Sequence, residues 1–301
     1  MKVLVAGGSG YLGQYLVEAL SREHQVGFTY NTGGKVVESM GGSKYKVDFC
    51  TGEGLEDMVS DFGEPQVVVN CAAISQPMVC EEERERSRSV NVPTTLVNDC
   101  LLSRCEGRPF LIHLSTDHVY DGSRSFYTEA DEPGPVNAYG ETKKEAEDFI
   151  VSRYPNHAIF RSSIIYGRGK EVGRNLFLQW MDEALGAGEK VDFFGNEFRS
   201  PVYVMDIVKL VRIIIARIEN GVTAPARVAN IYNLGGPERL SRADMAKALC
   251  THRGYGIDSV LEADRPGHVK SPLDASMDVH LLRQTFGLHP TSFKDALSEI
   301  F

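Results

Sequence analysis

Short runs of consecutive apolar residues recur through the first half of the chain, separated by longer stretches with helical spacing. They read "KVLVA", "QVGFTY", "KYKVDF", "QVVVNCA", "FLIHLS" and "HAIFRSSI". Strands that are apolar on successive positions are buried on both faces, and joined by helices they make a covered parallel sheet. The expected fold is therefore α/β and doubly wound. The sheet domain spans residues 1–166 and is rejoined by about 200–234, while 167–199 and 235–301 form a smaller C-terminal substrate-binding lobe. Glu81 to Cys105 begins acidic and becomes amphipathic, so its charges read as the solvated face of a helix. Beyond Tyr166 a loop rich in Gly and Arg precedes a helix expected from Asn175 to Leu185. Trp180, inside that pattern, reads as packing. Ligands of such folds favour the crevice beyond the carboxyl ends of the strands, next to an appended lobe.

Composition narrows the classes. The chain has 301 residues, 42% of them hydrophobic, which suffices for a sizeable core. Its formal net charge of -9, from 32 Lys+Arg against 41 Asp+Glu, argues against nucleic acid or an anionic membrane as the main partner. The longest apolar candidate, "IVKLVRIIIARI" from Ile207 to Ile218, is interrupted by Lys209, Arg212 and Arg217 and falls short of the roughly 20 residues that span a bilayer. "MKVLVAGGSG" passes from Met directly into a strand, without a signal peptide's apolar region, so a cytoplasmic location is expected. Cys50, Cys71, Cys80, Cys100, Cys105 and Cys250 show no metal-ligand spacing and read as reduced, mostly core residues. No metal is expected.

Two segments carry chemistry. "VLVAGGSGYLGQYLVEAL" places Gly7, Gly10 and Gly13 between the first strand and the first helix. The first glycine permits a tight turn, the second lets a pyrophosphate approach the backbone, and the third lets helix and strand pack closely. This is a dinucleotide-binding Rossmann arrangement, with Tyr11 and Leu12 in the same turn. At the end of the second strand "FTYNTGGK" has Asn31 and Thr32 where NAD enzymes hold the ribose with an acid. NADP is therefore favoured, with NAD as the alternative and Lys35 as a candidate positive charge.

The second segment is "STDHVYDG", which opens where "FLIHL" ends, followed 23 residues after Thr116 by Tyr139 in "NAYGETKKEAEDFI". Tyr139 and Lys143 are four apart at the start of a helical pattern and so share a face. A phenol is a poor proton donor near neutrality unless a cation stabilises its anion, a role that suits Lys143. A hydroxyl of Ser115 or Thr116 would hold the substrate oxygen while Tyr139 passes it a proton and a nicotinamide delivers hydride.

Glycine loop, strand-end hydroxyl and Tyr-x-x-x-Lys in this order resemble the extended short-chain dehydrogenase/reductase family. That resemblance implies an NAD(P)-dependent catalytic set of Thr116, Tyr139 and Lys143, supported by Asn91 in "NVPTTL". It also implies a cofactor-lining strand end at Asn70 to Ala73, including Cys71, Ala72 and Ala73, and cofactor contacts from Asp48 and Phe49 at the end of the third strand. "YTEADEPGPVNAYGETKKEAE", "RSSIIYG", "RSPVYVMDIV" and "RPGHVKSPLDAS" are similar to two branches of it, the dTDP-4-dehydrorhamnose reductases and the regulatory beta subunits of methionine adenosyltransferase. The first branch implies reduction of a 4-keto-6-deoxy sugar nucleotide or similar carbonyl. Asp117, Arg161 and Arg199 are then substrate candidates, and Arg161, Arg168, Arg174 and Arg199 would meet a diphosphate. The second implies a cofactor-bound partner of a methionine adenosyltransferase catalytic subunit, with "SFKDALSEIF" as a docking tail. A homodimer is the default oligomer.

Overall fold

The apolar runs fold as strands whose alternate residues enter opposite cores, except the third, which is a largely exposed edge strand at Ser43–Lys46. The computed structural model describes residues 1–32, 34–170, 176–222, 230–266 and 270–301, with the side chains of 34–36 outside that description. Arg174, Asn175 and the side chain of Lys35 thus lie outside the described residues. The strands are β1 (Lys2–Ala6), β2 (Gln25–Tyr30), β3 (Ser43–Lys46), β4 (Val67–Asn70), β5 (Phe110–Thr116), β6 (His157–Ser162), β7 (Ile165–Tyr166), β8 (Val191–Phe194), β9 (Phe198–Arg199), β10 (Val202–Tyr203), β11 (Ile231–Leu234), β12 (Leu240–Ser241) and β13 (Val260–Ala263). The helices are α1 (Tyr11–Leu20), α2 (Gly34–Ser39), α3 (Leu55–Phe62), α4 (Pro77–Glu82), α5 (Arg84–Asn91), α6 (Ala138–Arg153), α7 (Phe177–Gly186), α8 (Val204–Glu219), α9 (Arg242–Arg253), α10 (His280–Phe286) and α11 (Phe293–Ile300), with a π-helical segment at Thr95–Leu102.

Seven parallel strands form one sheet in the order β11-β6-β5-β4-β1-β2-β3. The chain winds outward through β2 and β3, then returns to the other side of β1 at β4, so the order reverses between β1 and β4. That reversal is where open α/β sheets form a ligand crevice. On β1, Val3 and Val5 enter the core against α1 and α8, while Leu4 and Ala6 enter the core against α3 and α6. The remaining strands pair in three two-stranded sheets.

Local chemistry moves several expected boundaries. β3 stops at Lys46 because Asp48 and Gly52 close a turn, with Asp48 N–H donating to Glu53 O at 3.0 Å and Gly52 N–H to Asp48 O at 2.7 Å. The long pattern from Glu81 is three helical pieces, broken at Glu83 and before Pro93. Its exposed charges pair as Arg84 with Glu81 and Glu141, Arg86 with Glu83, and Arg88 with Glu145.

Candidate active site

The glycine turn lies at the sheet's reversal point. Gly7 has φ of +77°, and a Cβ there would stand 2.7 Å from the backbone nitrogen of Ala72, so the ends of β1 and β4 touch backbone to backbone. A Cβ on Gly13 would lie 2.4 Å from Gly7 O, so α1 starts against its own turn. Thr29 fastens the turn to β2, with its hydroxyl accepting from Gly7 N–H at 3.0 Å and its carbonyl accepting from Gly8 N–H at 2.8 Å. The result is a glycine-walled cradle at a helix N-terminus, suited to a pyrophosphate. Asn31 and Thr32 are exposed at the end of β2, Cys71 and Ala72 are half-buried after β4, and Ala73 is exposed. Asp48 Oδ1 accepts from Cys50 N–H at 2.8 Å, holding the turn beside Phe49. Tyr11 and Tyr15 donate their hydroxyls to Arg168 O at 3.1 and 2.7 Å, which ties α1 to the loop after β7.

Thr116 ends β5 as the cap of a short 3-10 turn. Its hydroxyl donates to Asp117 Oδ1 and accepts from His118 N–H, both at 3.3 Å. Asn137 caps α6, its Oδ1 accepting from Gly140 N–H at 2.9 Å, and so sets Tyr139 in the first turn. The half-buried Tyr139 ring meets the His118 ring edge-on, with centroids 5.5 Å apart. Thr116 and Tyr139 thus share one strand end. Along α6, Tyr139, Lys143 and Glu147 form a single i, i+4 stripe. Lys143 is buried, its Nζ donating to Leu114 O at 2.5 Å and lying 3.3 Å from His113 Nε2. Burial brings the Lys143 ammonium down to about 8 despite the upward pull of Glu147 and Cys71.

Asn91 is fully buried. It pins the β4–α4 loop to α6, its Oδ1 accepting from Ile74 N–H at 2.8 Å and its Nδ2 donating to Ile74 O at 3.1 Å and Thr142 Oγ1 at 3.0 Å. Ser115 faces Glu147, to which its hydroxyl donates at 2.5 Å.

Arg161, Arg168 and Arg199 are engaged within the protein. Arg161 is 3% exposed and wholly engaged, its Nε and Nη2 on Glu147 and its Nη1 donating to Tyr120 Oη at 3.0 Å, so it holds the sheet to α6 and presents nothing to a diphosphate. Arg199 is likewise buried, 2.7 Å from Glu197 and 3.6 Å from Asp117, which also accepts the Ser163 hydroxyl at 2.9 Å. Arg168 donates to Glu299 O and Ile300 O at the end of α11. The cations that sequence reasoning missed are Arg242 and Arg265. They join Arg199 and Glu197 beside Asp117, and among the described residues Arg242 Nη1 and Arg265 Nε are buried without a hydrogen-bond partner. Burial alone would raise the Glu197 carboxyl, but Arg199, Arg242 and Arg265 outweigh it and hold the carboxyl low. Arg242 also lies over the Phe177 ring at 4.0 Å, and Phe177 neighbours the partly exposed Trp180. No local pattern marks this cluster, since Glu197, Arg242 and Arg265 converge only in three dimensions.

Known proteins share this chain's family and fold. The family model described as the RmlD substrate binding domain matches residues 1–301. A probable low-salt glycan biosynthesis reductase of Haloferax volcanii is 27% identical over 100% of this chain and 97% of its own length. A dTDP-4-dehydrorhamnose reductase of Sinorhizobium fredii is 28% identical over 77% of this chain and 78% of its own. The methionine adenosyltransferase 2 subunit beta of Rattus norvegicus is 25% identical over 82% of this chain and 71% of its own. Among solved structures, a hypothetical dTDP-4-dehydrorhamnose reductase from Sulfolobus tokodaii superposes with a TM-score of 0.78 at 27% identity, covering 97% of this chain and 98% of that one. A dTDP-4-dehydrorhamnose reductase from Bacillus anthracis, in complex with NADP, has a TM-score of 0.78 at 22% identity, covering 100% and 98%.

Proposed function

Because the chain belongs to the RmlD substrate binding domain family, we propose that it is an NADP-dependent reductase of a 4-keto-6-deoxy sugar nucleotide or a closely similar carbonyl. The observation that carries this reading is the stripe of Tyr139 and buried Lys143 set against the strand end of Thr116. In it the Thr116 hydroxyl holds the substrate oxygen, Tyr139 gives that oxygen its phenolic proton, and Lys143 stabilises the phenolate. The cofactor supplies the hydride when bound. The cradle of Gly7, Gly10 and Gly13 would hold its pyrophosphate, and the acid-free end of β2 at Asn31 and Thr32 leaves room for a 2'-phosphate. Arg242 and Arg265, with buried donor atoms unused among the described residues, suit the substrate's diphosphate, and Phe177 and Trp180 offer rings to its base. The named activities of the Haloferax and Sinorhizobium relatives support the same chemistry.

A second reading, a cofactor-bound subunit of a methionine adenosyltransferase, draws on the beta-subunit relatives. The docking tail invoked for it is internal, since Phe293, Ala296, Leu297 and Ile300 are buried in the chain's own core.

The test is NADPH oxidation with a dTDP-4-keto-6-deoxyhexose, run beside Tyr139→Phe. Turnover should fall at least about 100-fold in the variant while NADPH binding persists. Tight NADPH binding by the wild type without turnover, or a Tyr139→Phe variant that turns over as the wild type does, would overturn the reading.

A further inference from the structure

His113, on β5, is wholly buried, and each of its ring nitrogens meets one group. Nδ1 lies 3.1 Å from Asn70 Nδ2, and Nε2 lies 3.3 Å from Lys143 Nζ. The Asn70 amide is oriented from its other side. Its Oδ1 accepts the backbone N–H of Ala72 at 3.1 Å, and because a backbone N–H can only donate, the NH2 group faces His113. That NH2 donates to Nδ1, which therefore carries no proton. A neutral imidazole with a bare Nδ1 holds its proton on Nε2, here aimed at Lys143. An ammonium has donors and no acceptor, so it meets this N–H donor to donor, whereas an amine accepts it. Leu114 O, 2.5 Å from Nζ, accepts a lysine N–H in either state.

We propose that His113, locked by Asn70 with its proton on Nε2, is a positioning residue that weakens the hold of Lys143 on its proton and so makes the Lys143 ammonium a ready source of the proton that restores Tyr139. Its part in turnover rests on the reductase reading; the tautomer rests on geometry alone. When the Tyr139 phenol has given its proton to the substrate oxygen, the phenolate regains one from the Lys143 ammonium. The amine left behind accepts the His113 Nε2–H, and solvent later returns a proton to Lys143. Only protons move along this path.

The titratable and charged surroundings are consistent with that assignment. Lys143 is faced by Glu147 from its own helix, where Tyr139 lies one turn earlier, by His113 from β5 and by Cys71 after β4, while Arg161 on β6 neutralises Glu147 and His157 on β6 lies behind His113. Burial, Lys143 and His157 together hold the His113 imidazole well below its ordinary value, so it stays neutral.

Nuclear magnetic resonance on the labelled protein tests this directly. In 15N-histidine protein, with the His113 signals assigned by their loss in His113→Gln, Nε2 should be protonated and Nδ1 bare across the neutral range. In 13Cε-lysine protein, with the Lys143 signal assigned through Lys143→Arg, the Lys143 midpoint should rise by roughly one pH unit in His113→Gln, a tenfold gain in proton affinity, because the glutamine can turn its carbonyl toward the ammonium. Asn70→Asp keeps the acceptor for Ala72 N–H, turns a second acceptor toward Nδ1, and should move the imidazole proton from Nε2 to Nδ1 and raise the Lys143 midpoint. The basic limb of NADPH-dependent turnover should follow these midpoints. A proton found on Nδ1 of the wild type, or a Lys143 midpoint that falls or stays in both variants, overturns the proposal. Absent turnover with the expected resonances would count against the reductase reading alone.

Discussion

Glu147 shows how much one buried side chain can organise. It is 1% exposed, takes Arg161 through both carboxylate oxygens, accepts the Ser115 hydroxyl, and sits one turn beyond Lys143. Taking two charges out of water is costly, and removing one partner leaves the other uncompensated. Glu147→Ala should therefore destabilise the protein by about 3–5 kcal/mol, read as a lower urea midpoint, and Glu147→Gln by less because the amide still fills the space and accepts one guanidinium N–H. A midpoint for Glu147→Ala equal to that of the wild type would show that Arg161 finds another partner. Of this pair, Arg161 stood out in the sequence only as a possible ligand of a phosphate. Its true partner lies 14 residues earlier on a different element, and nothing in local spacing indicates that pairing.

At the scale of elements, α11 most clearly departs from expectation. An amphipathic stretch with an apolar face reads equally well as a docking tail or as a packed helix, and periodicity alone does not choose between them. In the structure Ser292 caps it by accepting from Asp295 N–H, its apolar residues enter the core shared with α9 and β10, and Arg168 binds its last carbonyls. Burying Phe293, Leu297 and Ile300 contributes roughly 1.5–3 kcal/mol each, a large part of a typical domain's 5–15 kcal/mol. Deleting the residues after Ser292 should therefore lower the melting temperature sharply and weaken NADPH binding with it, measured by thermal unfolding with and without NADPH. A truncated chain that melts with the full-length protein would restore the tail as a detachable segment.

For the whole molecule, buried imidazoles couple folding to pH. His118 is brought down to about 4 by burial, and His113 lies well below its ordinary value for the same first reason. In the unfolded chain both return to about 6.5. Between these values the unfolded state binds more protons than the native one, so stability rises with pH across this window and is lost on acidification. Urea midpoints should fall from pH 6.5 toward 5, with the raised Glu129 and Asp206 carboxyls opposing the trend, and His118→Gln should flatten the slope. A midpoint constant between pH 7 and 5 would mean that these imidazoles gain protons without unfolding.

What the amino-acid order determined by itself is everything written in short-range pattern. Apolar runs alternating with helical spacing specify a covered parallel sheet, three glycines between strand and helix specify the turn, and an i, i+4 spacing puts Tyr139 and Lys143 on one face, because each depends on residues within a few turns of one another. The tertiary structure alone decided what surrounds that face. Only the pairing of β4 with β5 sets Asn70 beside His113, only the packing of α6 on β5 brings Lys143 against that imidazole, and only the approach of β9, α9 and the segment after β13 gathers Arg199, Arg242 and Arg265 near Asp117. Contacts between residues so far apart in the chain leave no periodic trace, since what selects them is the exclusion of water from the assembled core and the partners that buried charges must then find.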